Sequence, residues 1–301
     1  IWKNQPMIGG SNMLGMMGNF MNFFAYLFMG IPAGNLLSKI GYKKTALIGI
    51  AFGFFGVLIQ FVSGFSSGIT GFVIYLIGAF VSGFSVCTLN TVVNPMLNQL
   101  GGGGNRGNQL CLIGGTFNSL LGTMTPMLVG ALIGTVTKNT AMSDVNLVLY
   151  MAMGVFLVTF LVLLFVPIDN PKQMEGIDKF EHSPFAFRHF TLGVVAIFVY
   201  VGVECGIPGT LNFYISDTSA NGAGVMNLNP MVQAAAIGGF AAGTYWFLML
   251  VGRFVSSFIA SKVSSRAMMI ATTVVATVLI LFAMFIPKTV TGSLPVFTGS
   301  S

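Results

Sequence analysis

The sequence predicts an all-α protein that crosses a membrane several times. Two observations carry this. Hydrophobic residues make up 54% of the 301-residue chain and charged residues only 7%, with a mean hydropathy of +0.87. A soluble domain carries about 25% charged residues, so a chain this poor in charge cannot keep its outside in water. The apolar runs are also long and do not alternate residue by residue, which favours helices over the strands of a membrane barrel.

A span needs about 20 apolar residues. On that rule the chain holds about eight: Asn12–Leu37, Thr45–Phe65, Phe72–Leu97, Gln109–Val136, Leu147–Val166, Thr191–Ile215, Gln233–Val263 and Ala267–Ile286. Abundant glycine, 39 residues, allows close helix approach, for example at Gly114, Gly115 and Gly122. Pro32, Pro95, Pro126 and Pro208 fall inside spans and predict local bends. Cys87, Cys111 and Cys205 lie within apolar runs and are expected to behave as small buried hydrophobes.

The connecting segments alternate in charge. Lys39, Lys43 and Lys44 follow the first span, Arg106 the third, Lys172, Lys179 and Arg188 the fifth, and Lys262 and Arg266 the seventh. The segments between are poorer in basic residues. This is the positive-inside pattern of a multi-pass protein, so the net charge of +6 is a topology signal and not a nucleic-acid footprint. The basic side is expected to be cytoplasmic, which puts Ile1 and Ser301 on the far side. Four of the seven acidic residues, Asp169, Glu175, Asp178 and Glu181, fall in the one long polar segment. The expected organisation is a helical bundle over 1–166, a cytoplasmic linker over 167–190 and a second bundle over 191–301.

The turns Gly34–Lys44 (GNLLSKIGYKK) and Ser257–Ala267 (SFIASKVSSRA) echo each other. A repeat with the same orientation in two halves is a feature of a large class of transporters. On that frame one span is expected before Ile1, so that the first bundle lacks its first helix, and about three after Ser301, leaving the second incomplete; the chain then holds about eight of twelve transmembrane helices.

Chemistry is sparse, which makes the polar residues inside spans informative. Asn90 and Asn94 are four apart and share a helix face. Asn118 lies on the next helix, across the Gly-rich turn Gly101–Gly104. An amide at bilayer depth needs a partner or a water-filled cavity, and it offers a sugar hydroxyl both a donor and an acceptor. The competing reading is interhelical glue, worth about 0.6 kcal/mol on average. Asn19 and Asn22, with Tyr26, form another polar stripe. Glu204 is the one acidic residue inside a predicted span. A carboxylate there is costly, so it is a candidate proton carrier or sugar-hydroxyl acceptor, against the alternative of a structural hydrogen bond. Asn212 lies two turns beyond it. Trp246 and Tyr245 could stack on a sugar ring or serve as interface anchors. Arg253 is expected to snorkel or pair with an acidic residue, in a structural or gating role.

Other chemistries find no support. Gly101–Gly104 lacks the GK[ST] ending of a phosphate loop. His182 and His189 have no third ligand nearby, so no metal is expected. No Ser-His-Asp set or HExxH motif occurs, so no enzyme activity and no cofactor are expected.

The turn Gly34–Lys44 resembles the cytoplasmic loop signature of the major facilitator superfamily. Within it, IPAGNLLSKIGYKK, VVNPMLNQLG, GGTFNSLLG and YVGVECGIPG look like the fucose/glucose/galactose symporters. The resemblance implies a two-bundle fold, alternating access and monosaccharide import with a cation (H+ first, Na+ as the alternative), by a monomer in the plasma (inner) membrane. Asn118 then matches a sugar-binding position. Asn90 stands where fucose permease has a buried carboxylate linked to proton coupling, and Gly115 where it has a sugar-binding Gln. Ser38 replaces the usual Asp of the loop signature. These departures turn the expectation toward the glucose/galactose branch and move proton coupling to Glu204. The expected substrate-binding set is Asn118, Asn94, Asn90, Glu204, Asn22, Asn212 and Trp246. The expected gating set is Gly34, Lys39, Gly41, Lys43, Lys44 and Arg253. Alternatives are a carrier of another small polar solute, or a membrane sensor or scaffold that transports nothing.

Overall fold

The structure, a computed structural model, describes residues 12–66, 68–133, 145–168, 186–216 and 231–285. Among these residues the regular structure is helical: α1 (Asn12–Gly15), α2 (Met17–Ser63), α3 (Gly68–Leu100), α4 (Gly104–Ile133), α5 (Asn146–Phe165), α6 (Arg188–Ser216), α7 (Met231–Ala260) and α8 (Ser265–Phe285). Each of the eight spans expected from the sequence overlaps these helices, with 134–136 and 286 outside the described residues, and among the described residues six helices are long and apolar enough to cross a membrane. The polar residues 169–185, with four acidic side chains and His182, lie outside the described residues, as does most of the linker.

α2 runs for 47 residues. At 1.5 Å per residue that is about 70 Å, more than twice the ~30 Å hydrocarbon core. It therefore cannot be one crossing. Gly41 resolves this, with φ 79° and ψ 178° inside the helix. A positive φ of this kind strains any side chain, and glycine adopts it freely. The two halves of α2 are the first two predicted spans, and Gly41 is the turn between them. The proline-bearing helices α2, α3 and α6 continue through Pro32, Pro95 and Pro208.

Packing divides the chain into two compact units, Ile1–Leu100 with Leu128–Ile177, and Gly101–Met127 with Asp178–Ser301. These units follow contact, and they are not the same partition as the bundles inferred from topology.

In the first unit, α2 packs on α3 along an antiparallel seam. Gly49 faces Thr88 and Leu89, Gly53 faces Ser85, Gly56 faces Ser82, and Gly78 faces Gln60. A Cβ added at Gly56 would meet the Ser82 backbone nitrogen at 2.6 Å. The small residues are thus what permits backbone-to-backbone approach where no aqueous hydrophobic force acts between helices. The Gln60 amide donates to the Ser82 hydroxyl across the seam at 3.1 Å. At the Gly41 turn, Leu37, Tyr42, Ala46 and Val92 form a small core. The Tyr42 hydroxyl donates to Gln99 Oε1 at 3.3 Å, and Lys43 Nζ donates to the Leu164 carbonyl at 2.9 Å. That cation sits on the C-terminal end of α5, where helix carbonyls carry partial negative charge.

In the second unit α6 and α7 are in contact. α8 buries no residue, and Phe285 is 83% exposed. Such faces suit a lipid solvent.

Candidate functional site

The polar features of the second unit are set by a heptad. Asn108, Gly115 and Gly122 of α4 are seven residues apart and so lie on one face. Asn108 Nδ2 donates to the Ser265 hydroxyl at the start of α8. Gly115 faces Arg253 of α7. A Cβ at Gly122 would lie 4.0 Å from Cε3 of Trp246. Arg253 and Trp246 are themselves seven apart, so α4 and α7 meet antiparallel, with glycine on one side and long side chains on the other.

Arg253 carries the chemistry. Its Nη2 donates to Glu204 Oε1 at 3.0 Å, and its Nη1 donates to the Gly115 carbonyl at 3.1 Å. The two side chains of the ion pair are 23% and 16% exposed. Two charges removed from most of their water are tolerable when paired and hydrogen-bonded, and the guanidinium fork supplies both contacts in one plane. Tyr200, one turn before Glu204, interacts with both members of the pair, and Tyr245 lies within electrostatic range of Glu204. Tyr245 and Trp246 meet edge to face, with centroids 5.9 Å apart. Asn118, exposed, lies three residues past Gly115 on the same broad face of α4.

The first unit holds a second, uncharged group. Asn90 Nδ2 donates to the Tyr26 hydroxyl at 2.8 Å. Asn22, one turn before Tyr26, has its Oδ1 buried with no partner. The Asn22 backbone carbonyl packs against Gly83 of α3 so closely that a Cβ there would collide with it. Asn94 is exposed one turn beyond Asn90.

The structure therefore joins Glu204 to Arg253 and Asn90 to Tyr26, and sets Trp246 against the helix that bears Asn118. Of the turn residues, Gly41 supplies the chain reversal and Lys43 the contact to α5. Lys39 and Lys44 are exposed, and a Cβ at Gly34 would meet nothing within 4 Å. The side chain of Asn212 lies outside the described residues. Sequence reasoning passed over Tyr200 and the Gly115 carbonyl. Tyr200 carried a signal, being four residues before the carboxylate. A backbone carbonyl carries none.

The family profile of the Major Facilitator Superfamily matches residues 9–300. The chain belongs to the Major Facilitator Superfamily. As a member of it, the chain is a multi-pass membrane protein from a family of transporters and not of enzymes. It is 29% identical over 248 residues to a glucose/galactose transporter of Brucella abortus biovar 1 (strain 9-941), covering 80% of this chain and 57% of that protein. It thus spans little more than half the length of that curated relative. Its fold is similar to that of FucP, a superfamily transporter solved in the outward conformation, with a TM-score of 0.73, 19% identity, and coverage of 95% of this chain and 72% of that one. A variant of the E. coli fucose:proton symporter FucP superposes with a TM-score of 0.71 at 18% identity, over 91% of this chain and 69% of that one.

Proposed function

We propose that this chain is the greater part of a plasma-membrane monosaccharide importer of the glucose/galactose type that moves its sugar together with a proton by alternating access. The observation that supports this most is the Arg253–Glu204 ion pair, 3.0 Å long, on helices apolar enough to span a membrane. Ionisable groups at membrane depth are expensive and mark ion or substrate pathways. The pair is flanked by groups that suit a sugar: Asn118 with a free-facing amide, and the rings of Trp246 and Tyr245 for the apolar face of a pyranose. The names of the relatives point the same way.

In this reading Asn118, Asn94, Asn90, Asn22 and Asn212 supply hydroxyl contacts and Trp246 a stacking wall. Glu204 carries the proton. Protonation removes its charge, breaks the ion pair and frees Arg253. The basic turn with Lys39, Lys43 and Lys44 lies on the cytoplasmic side. Residues 1–166 and 191–301 serve as the two rocking bundles, joined by the linker 167–190. The carrier acts as a monomer.

Counterflow of labelled glucose, galactose and fucose in vesicles bearing the full-length protein tests this. Glucose or galactose exchange faster than fucose is expected, and net uptake of the same sugar into vesicles should follow an imposed proton gradient. Exchange of no hexose would sink the substrate assignment. Uptake that follows sodium and ignores the proton gradient would replace the coupling ion and remove Glu204 from that role.

A further inference from the structure

The hydroxyls of α4 follow one habit with one exception. Thr116 donates to the Leu112 carbonyl at 2.9 Å, Thr123 to Ser119 at 2.9 Å and Thr125 to Leu121 at 2.7 Å, each bonding four residues back. Ser119 lies on the same helix, is 1% exposed, and its hydroxyl has no partner. Its own acceptor four residues back is the carbonyl of Gly115. That is the oxygen to which Arg253 Nη1 donates at 3.1 Å. The guanidinium reaches it because residue 115 has no side chain: a Cβ there would stand 3.3 Å from Nη1 and 3.4 Å from Cδ of Arg253.

We propose that the Gly115 carbonyl is a shared acceptor, held by Arg253 while the Arg253–Glu204 pair is closed and handed to the Ser119 hydroxyl when the pair opens. A buried hydroxyl with no partner is unfavourable, and the Gly115 carbonyl, one lone pair of which takes the helical N–H of Ser119, has a second lone pair that is better met by a donor than left empty. In the closed arrangement the hydroxyl goes without. In the open one, rotation about its Cα–Cβ bond lets it take the carbonyl that Arg253 leaves, so both groups are satisfied. Ser119 thereby lowers the free-energy gap between the closed and open pair, and Gly115 and Ser119 act as positioning residues for Glu204. The exchange is set one residue from Asn118, so contact with substrate there and release of Arg253 share the same turn of α4. The consequence for transport rests on the reading given above; the exchange itself does not.

The test is a thermal-melting comparison on the full-length protein in two backgrounds. In the wild type, Ser119→Ala removes a hydroxyl without a partner and is expected to leave Tm unchanged or raise it by about 2 °C. In the Glu204→Ala/Arg253→Ala background, where no lone charge remains, the same substitution removes a made hydrogen bond and is expected to lower Tm by about 2 °C. Should that double variant not fold, Gly115→Ala, which crowds Nη1 off the carbonyl, is the second background with the same expected sign. Equal shifts in both backgrounds would overturn the exchange. In vesicles, Ser119→Ala is expected to slow hexose counterflow several-fold with KM little changed. Unchanged counterflow in an active protein would overturn the consequence for transport, whereas a wild type that exchanges no hexose counts against the transport reading alone, since the melting comparison still decides the exchange.

Discussion

The two units of the molecule solve the problem of polar groups at membrane depth in opposite ways. In the first, neutral groups are locked by close packing: Asn90 donates to Tyr26, Gln60 to Ser82, and glycine at 49, 53, 56, 78 and 83 brings the α2 and α3 backbones together. In the second, a charge pair does the joining, and α4 meets α7 through the long side chains of Arg253 and Trp246. The difference teaches where movement is cheap. A backbone seam without spare volume has one arrangement. An arginine that bridges a carboxylate and a carbonyl has several.

Perturbing that contrast should give graded effects. The largest is expected from Arg253→Ala, which leaves Glu204 largely buried and unpaired. Stability should fall by about 3 kcal/mol, and uptake should be lost. The Glu204→Ala/Arg253→Ala variant should recover much of the stability and none of the uptake, as read from melting and counterflow side by side. If the single variant melts like the wild type, the pair contributes nothing to folding.

Next come the seam glycines. Gly56→Ala would drive a Cβ to 2.6 Å from the Ser82 backbone nitrogen and 2.9 Å from its Cα, where nothing flexible can yield. A loss of about 1–3 kcal/mol is expected. Gly34→Ala, which meets nothing within 4 Å, should be neutral or stabilising by up to about 1 kcal/mol. Similar melting for both would mean that the seam is looser than its geometry. Gly41→Ala tests the reversal in α2. Its φ of 79° with ψ of 178° lies in a region that essentially only glycine adopts, so the substitution should cost about 1–3 kcal/mol, and Gly41→Asn should be no milder.

The smallest effect is expected at Tyr26→Phe. It removes the hydroxyl that Asn90 donates to, and an interhelical hydrogen bond of this kind is worth about 0.6 kcal/mol. A modest fall in Tm with hexose KM shifted less than threefold would fit a mainly structural Asn90. A large rise in KM without loss of Tm would instead place Asn90 on the sugar.

Much of the architecture was legible in the residues. Low charge and long apolar runs set the solvent and the helices, and length against bilayer thickness set the spans. The turn within α2 could be placed over Ser38–Lys44 because two apolar stretches flank these basic residues, whereas Gly41 as its pivot came from the backbone. The candidate site was legible only in part. Glu204 and Arg253 each stood out as charges in apolar runs, yet their pairing joins positions 49 residues apart on different helices. Composition cannot report such a distance. Asn22, Asn90 and Tyr26 were visible as polar residues in apolar runs, while the bond from Asn90 to the Tyr26 hydroxyl and the orphaned oxygen of Asn22 were not.

By itself, then, the sequence determined what kind of solvent this chain requires, where its long apolar helices fall, and which few polar side chains lie within them, because these follow from residue type and period. Tertiary structure alone decided which of those side chains meet. It showed that the charge on Arg253 is answered both by Glu204 and by a backbone carbonyl, and that Ser119 is left without a partner. Those facts depend on how closely two helices approach. That approach depends on where glycine removes a Cβ, and no local pattern encodes what lies across the gap.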